Sequence, residues 1–200
     1  MATRIVLCLL LAACASTDQV PPIDLSKAVS AEQVLTQPLE RRLLAAALPV
    51  PNRRGLMRLI HTPTSCWSRD GVVPYVYPAW SEPKVGRMLA IDWTTRACRP
   101  FTSEPAALLI SFDPIEPWPL SVFGHRDCYL TVGIGRSRDY LVTPGPGSIL
   151  SQEEPGRVSL RWIPGPEWAG QTIYAQLIVL SAAGNNGWLN SPGIELQIGG

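Results

Sequence analysis

The chain has 200 residues, 46% of them hydrophobic and 16% charged, a balance too apolar and too weakly charged for general disorder and sufficient for one packed domain. Twenty prolines and sixteen glycines exclude long helices over most of the length, because proline lacks the amide donor and its ring clashes with the preceding turn. Basic residues number 17 and acidic residues 16, so no global field draws polyanions and nucleic acid is not an expected partner.

The chain opens as an export signal. A single Arg4 precedes the apolar run Ile5-Val6-Leu7-Cys8-Leu9-Leu10-Leu11 and then small residues, a layout too short to span a bilayer as a stop-transfer helix. Leu11-Ala12-Ala13-Cys14 resembles a bacterial lipobox, in which Cys14 becomes the acylated first residue; Ala13-Cys14-Ala15 also satisfies the ordinary A-x-A cleavage rule. A polar segment follows the cysteine at once, which favours the lipoprotein reading. Residues 1–14 are therefore the signal and lipobox, and the lipid chains on Cys14 would hold the protein to a membrane. The expected location is the bacterial cell envelope, as an outer-membrane lipoprotein, or the extracellular space.

Residues 15–29 lack a sustained period and contain Pro21-Pro22, so they read as a flexible tether. Residues 30–62 read as a helical and linker segment. Ser30 with Gln33 three residues later matches a capping box, and Leu39, Leu43, Leu44 and Leu48 recur at helical spacing before Pro49 and Pro51. Arg41, Arg42, Arg53, Arg54, Arg58 and Arg69 make the one charge asymmetry; it reads as a solvated linker beside an anchor, with attraction to anionic headgroups or acidic polysaccharide as the alternative.

From residue 63 to 200 the signal changes to short period-two segments separated by Gly/Pro/Asn/Asp clusters. Leu89, Ile91 and Trp93 form one inward set; Cys128, Leu130 and Val132 another. Val158, Leu160 and Trp162 alternate with Arg157, Ser159 and Arg161, which places arginines on the opposite face. Ile173, Ala175, Leu177 and Val179 repeat the pattern, as do Ile194, Leu196 and Ile198. The unbroken apolar run from Ala106 to Phe112 fits a central strand covered on both faces. With weaker segments near 72–77, 140–143 and 188–189, about eight strands result. The expected fold is mainly β: a two-sheet antiparallel β-sandwich with one short N-terminal helical segment. Three body cysteines, Cys66, Cys98 and Cys128, are too widely spaced for a CxxC motif; in an exported chain they suggest one disulfide and one leftover thiol, and spacing leaves all three pairings open.

Several segments carry a family resemblance. Pro83 with Gly86 opens a strand, Gly124-His125-Arg126-Asp127-Cys128-Tyr129-Leu130 stands where a glycine-cysteine-x-leucine segment is found, and Ile163-Pro164 with Gly170 follows. Tyr174-Ala175-Gln176, Ser191-Pro192-Gly193-Ile194 and the terminal Leu196-Gln197-Ile198-Gly199 complete the set. Together they resemble the C-terminal β-sandwich domain found repeatedly in secreted proteins of planctomycetes and myxobacteria, a family of uncharacterised function. The likeness runs from about Cys66 to Gly200. It departs at Asp127, where the family has glycine, at Pro192, where it has asparagine, and at Ser65-Cys66, where it has glycine-cysteine. The resemblance implies a Cys66–Cys128 disulfide with Cys98 left over.

Chemistry-bearing motifs are sparse. His125-Arg126-Asp127 spells a kinase tripeptide without a glycine-rich loop or DFG, and no G-x-S-x-G elbow or HExxH occurs. Asp113 and Glu116 could model a carboxylate pair or an oxygen-rich cation loop, but read as a solvated turn. Seven tryptophans are the one excess. Trp93 and Trp162 fall on inward sets. Trp80, Trp118, Trp168 and Trp188 lie in Pro/Gly-rich connections, where an indole either stacks on a sugar ring or folds back over the sandwich. No catalytic residue, metal ligand or cofactor is assigned. The expected function is a non-catalytic interaction or structural module whose partner is polysaccharide or an envelope protein. The alternatives are a carbohydrate-binding module using the loop tryptophans and a hydrolase.

Overall fold

The computed structural model describes residues 24–36, 54–60, 73–78, 82–96, 105–114, 116–119, 129–133, 137–154, 157–180 and 188–200. The leader with Cys14, the leucine stripe at 39–48, the three body cysteines Cys66, Cys98 and Cys128, and Trp80 lie outside these residues.

The architecture is a two-sheet antiparallel β-sandwich. The larger sheet contains β1 (Leu56–Ile60), β12 (Gly193–Gln197), β10 (Thr172–Leu180), β4 (Ala106–Ser111) and β7 (Asp139–Val142) in that order, with β11 (Trp188–Asn190) also pairing β10. The smaller sheet runs β2 (Val73–Pro78), β3 (Leu89–Arg96), β9 (Arg157–Trp162) and β8 (Leu150–Glu154). A ribbon of β5 (Trp118–Pro119) and β6 (Tyr129–Leu130) stands apart.

The period-two sets meet as sheet physics requires. Leu89, Ile91 and Trp93 register with Trp162, Leu160 and Val158, so the inward rows of neighbouring strands lie side by side. All of them are buried. On the larger sheet Ile173, Ala175, Leu177 and Val179 of β10 and Ile194 and Leu196 of β12 join the same core. β4 is buried at all six positions, the signature of a strand covered on both faces. Gly86 turns the chain into β3 at φ +73°, a region glycine enters without the Cβ penalty.

The sandwich begins earlier in the chain than the sequence suggests. The expected linker contains β1, which pairs β12 over five residues from Leu56↔Gln197 to Ile60↔Gly193. The expected tether ends in a clasp: Val29 forms a parallel bridge to Val142, its N–H donating to the Leu141 carbonyl at 2.9 Å. Behind it α1 (Ala31–Leu35) carries the anticipated capping box, with Gln33 Oε1 accepting from the Ser30 N–H at 2.9 Å and Ser30 Oγ accepting from the Gln33 N–H at 3.3 Å. A five-residue helix has little stability of its own. Burial of Ala31, Val34 and Leu35 in the sandwich core holds it, and Glu32 accepts from the Ile149 N–H at 2.8 Å.

Candidate functional site

The two sheets differ in what lies on their outer faces. On the larger sheet, Gln176 points away from the Ala175/Leu177 row, yet only 1% of it is exposed. Its Oε1 accepts from the Thr131 N–H at 2.9 Å, and its Nε2 donates to the carbonyls of Tyr129 at 2.9 Å and Ser191 at 2.8 Å. Asn190 Nδ2 donates to the same Tyr129 carbonyl at 2.8 Å. These bonds fasten β6 and the residue after it, Thr131, across the sheet. Ser191 fills the break between β11 and β12: its Oγ accepts from the Leu177 N–H at 3.0 Å, replacing a ladder partner. A Cβ at Gly193 would collide with the Thr131 hydroxyl, so the close crossing requires glycine there.

On the smaller sheet the outward side chains of β3 and β9 reach solvent among the described residues. Register places Ala90 opposite Arg161, Asp92 opposite Ser159 and Thr94 opposite Arg157. Asp92 is the hub. Its Oδ2 accepts from Arg157 Nη2 at 2.9 Å; its Oδ1 accepts from Ser159 Oγ at 2.7 Å and lies 2.8 Å from Arg161 Nη2. Partial burial pushes the Asp92 carboxyl up, but the hydrogen bonds from Ser159, Arg157 and Arg161 outweigh it and hold the group below the usual carboxylate range. Both arginine side chains remain 39% exposed. Continuing the same two rows past the ladder, Met88 and Ile163 are exposed apolar residues at one end. The result is a strip that is apolar at one end and cationic through the middle, with the carboxylate set between the guanidinium groups.

The sequence-derived candidates separate. Trp168 is a core residue: a short 3-10 turn at Pro166–Trp168 tucks its indole edge-on against Trp162, with centroids 5.0 Å apart and planes at 88°, and 5.8 Å from Phe112. No ligand can stack there. Trp118 is 40% exposed on β5. Trp188 lies on β11 opposite Leu180, which places its backbone in the larger sheet. Asp113 receives Arg138 Nη1 at 2.7 Å, and the guanidinium of Arg138 also sits over the Phe112 ring at 5.8 Å, which makes Asp113 one end of a strap between loops. Among the described residues no three His, Cys, Asp or Glu side chains converge to hold a metal ion, and no helix is long and apolar enough to cross a membrane.

The arginines of the strip were visible as the polar half of the Arg157–Trp162 alternation. Neither Asp92 nor Met88 belongs to any motif read from the sequence, and Ile163 enters there only through Ile163-Pro164. The available signal for Asp92 was a lone charge at an outward position within Leu89-Ala90-Ile91-Asp92-Trp93. No family model, curated protein or solved structure matches this chain.

Proposed function

We propose that the protein is a non-catalytic interaction module of the bacterial envelope or exterior, held near a membrane through Cys14, and that its binding surface is the outer face of the smaller sheet at β3 and β9. The observation that carries this reading is the half-exposed Arg157–Asp92–Arg161 row continued by Met88 and Ile163, of which Ile163 is 54% exposed. Ladder hydrogen bonds fix the backbone beneath these side chains, so the surface is preorganised and little ordering entropy opposes contact. Apolar area beside guanidinium groups suits an envelope protein or an acidic polysaccharide, since arginine brings fixed donors and a weakly hydrated cation. Exposed Trp118 favours a second reading, stacking on a neutral sugar ring.

Co-sedimentation of a Cys14→Ser chain with isolated envelope fractions tests both. The unacylated chain is expected to pellet, and Ile163→Asp to weaken that binding about tenfold, the change that 1.4 kcal/mol makes. Retention in the supernatant, or binding indifferent to Ile163→Asp, overturns the strip. Binding abolished by Trp118→Ala and unchanged by Ile163→Asp transfers the function to the sugar-stacking reading.

A further inference from the structure

The end of the sandwich that holds Met88 and Ile163 is built around one tight turn. Arg87 donates its N–H to the Lys84 carbonyl at 3.1 Å, and Gly86 inside the turn takes φ +73°. Backbone bonds pin this turn on both sides: the Gly86 N–H donates to the Pro164 carbonyl at 2.9 Å, the Val85 N–H to the Gly199 carbonyl at 3.1 Å, and the Gly199 N–H to the Pro83 carbonyl at 2.9 Å. The first of these lays the turn beside Ile163-Pro164. Met88 and Ile163, the pair next beyond Leu89↔Trp162, therefore stand on a fixed base, and they are 49% and 54% exposed.

The charges at this end are sorted by sign. Lys84 and Arg87 leave from the two ends of the turn, and among the described residues neither enters an ion pair. Arg54 is a third such cation, exposed and next to the Gly55 that packs against Pro83. The acids of the same segments are engaged with backbone: Glu82 accepts from the Gly55 N–H at 2.8 Å, and Glu167 folds its carboxylate against Gly165. Aliphatic side chains in solvent, bordered by cations without partners, match the surface of an anionic bilayer, where apolar groups sink toward the acyl chains while lysine and arginine meet the headgroups. An acidic polysaccharide would use the cations but leave Met88 and Ile163 wet; an apolar protein surface would strand the cations.

We propose that the turn Lys84–Arg87, together with Met88 and Ile163, is a membrane-contact tip that seats on anionic phospholipid. The tip shares Met88 and Ile163 with the strip proposed above and gives the apolar end of that strip to lipid, while Lys84 and Arg87 belong to the tip alone. A weak contact of this kind suffices for a chain held at the same membrane through Cys14, in which respect it rests on that reading, because attachment turns the encounter into an intramolecular one.

The test is co-sedimentation of the Cys14→Ser chain, which carries no acyl anchor, with vesicles of phosphatidylcholine alone and of equal parts phosphatidylcholine and phosphatidylglycerol, at low salt. The chain is expected to pellet with the mixed vesicles and to stay in solution with phosphatidylcholine. Reversing both turn charges, Lys84→Glu with Arg87→Glu, should weaken that binding about tenfold or more, and Ile163→Asp about tenfold, with the far-ultraviolet dichroism unchanged. Lys27→Glu changes a cation whose side chain is 82% exposed on the N-terminal segment and should leave the binding as it is. No binding to the mixed vesicles overturns the proposal. So does equal binding to both kinds, binding indifferent to the reversed turn or to Ile163→Asp, or a loss with Lys27→Glu as large as with the reversed turn, which would be the work of net charge. The two proposals fail separately: a chain that pellets with envelope fractions but not with mixed vesicles keeps the strip and loses the lipid tip, and one that pellets with neither loses both.

Discussion

Gln176 and Asp92 occupy equivalent places, each a polar hub on the outer face of a strand whose other face is core, and their chemistries differ because the first is covered and the second reaches solvent. Gln176, 1% exposed, is neutral and bonds three backbone groups of crossing segments. Asp92, with 23% of its side chain exposed, is charged and bonds three side chains on its own sheet. Burying a charge costs more than nearby partners return unless every lone pair is matched, whereas an amide can satisfy a donor and two acceptors without a net charge. The comparison teaches that the covered face is held by backbone satisfaction and the open face by ion pairs that water weakens.

The largest test of that contrast is Gln176→Leu. It removes the acceptor for the Thr131 N–H and the donor for the Ser191 carbonyl, while the Tyr129 carbonyl keeps Asn190. Two orphaned buried groups at about 1–3 kcal/mol each place the expected loss near 4 kcal/mol. Urea denaturation measures it; a loss under about 1 kcal/mol would mean the crossing segment is not held as described. Asp92→Asn should cost about 1 kcal/mol or less, because both arginine side chains are 39% exposed and water screens the pairs. Its signature is pH. A carboxyl held below 3.8 in the folded state contributes stability that is complete above 3.8 and is lost as pH falls through the lower folded value. The parent chain should therefore lose part of its advantage over Asp92→Asn on acidification, while the Gln176→Leu deficit stays constant. Equal slopes for the parent and Asp92→Asn would break the contrast.

The inward rows were legible because period two is a direct projection of the pleat, and the doubly covered β4 because the five apolar residues Ala106–Ile110 have no polar face to show. β1 was hidden in Leu56-Met57-Arg58-Leu59-Ile60, where an edge strand in a partly covered layer needs no clean alternation. The clasp at Val29 was hidden for a different reason: a single bridge leaves no periodic trace. For Trp168 the Pro164-Gly165-Pro166 connection leaves stacking and folding back both open, and the turn it makes aims the indole inward, the second of the two. Of the open strip, the arginine row was visible and the hub was not, because a lone aspartate announces a partner only once β9 is laid beside β3. Gln176 left one usable mark, a polar residue inside the apolar run of β10.

The smallest expected effect sharpens the comparison most finely. Ser159→Ala deletes the donor to Asp92 Oδ1 at 2.7 Å, but that oxygen keeps Arg161 Nη2 at 2.8 Å, so no group is orphaned. The stability loss should be about 0.5 kcal/mol, the low end for a single hydrogen bond, because water reaches the site. The carboxyl itself is the more sensitive reporter. Of the interactions that hold Asp92 below its ordinary value the Ser159 hydrogen bond is the largest, so its removal should move the titration of the Asp92 carboxyl carbon upward, toward 3.8, in an NMR series. The acid limb of the stability curve should then be smaller and end at a higher pH than in the parent. An unmoved titration would show that the guanidinium groups alone set the charge state of the open face, leaving Ser159 as a filler between them.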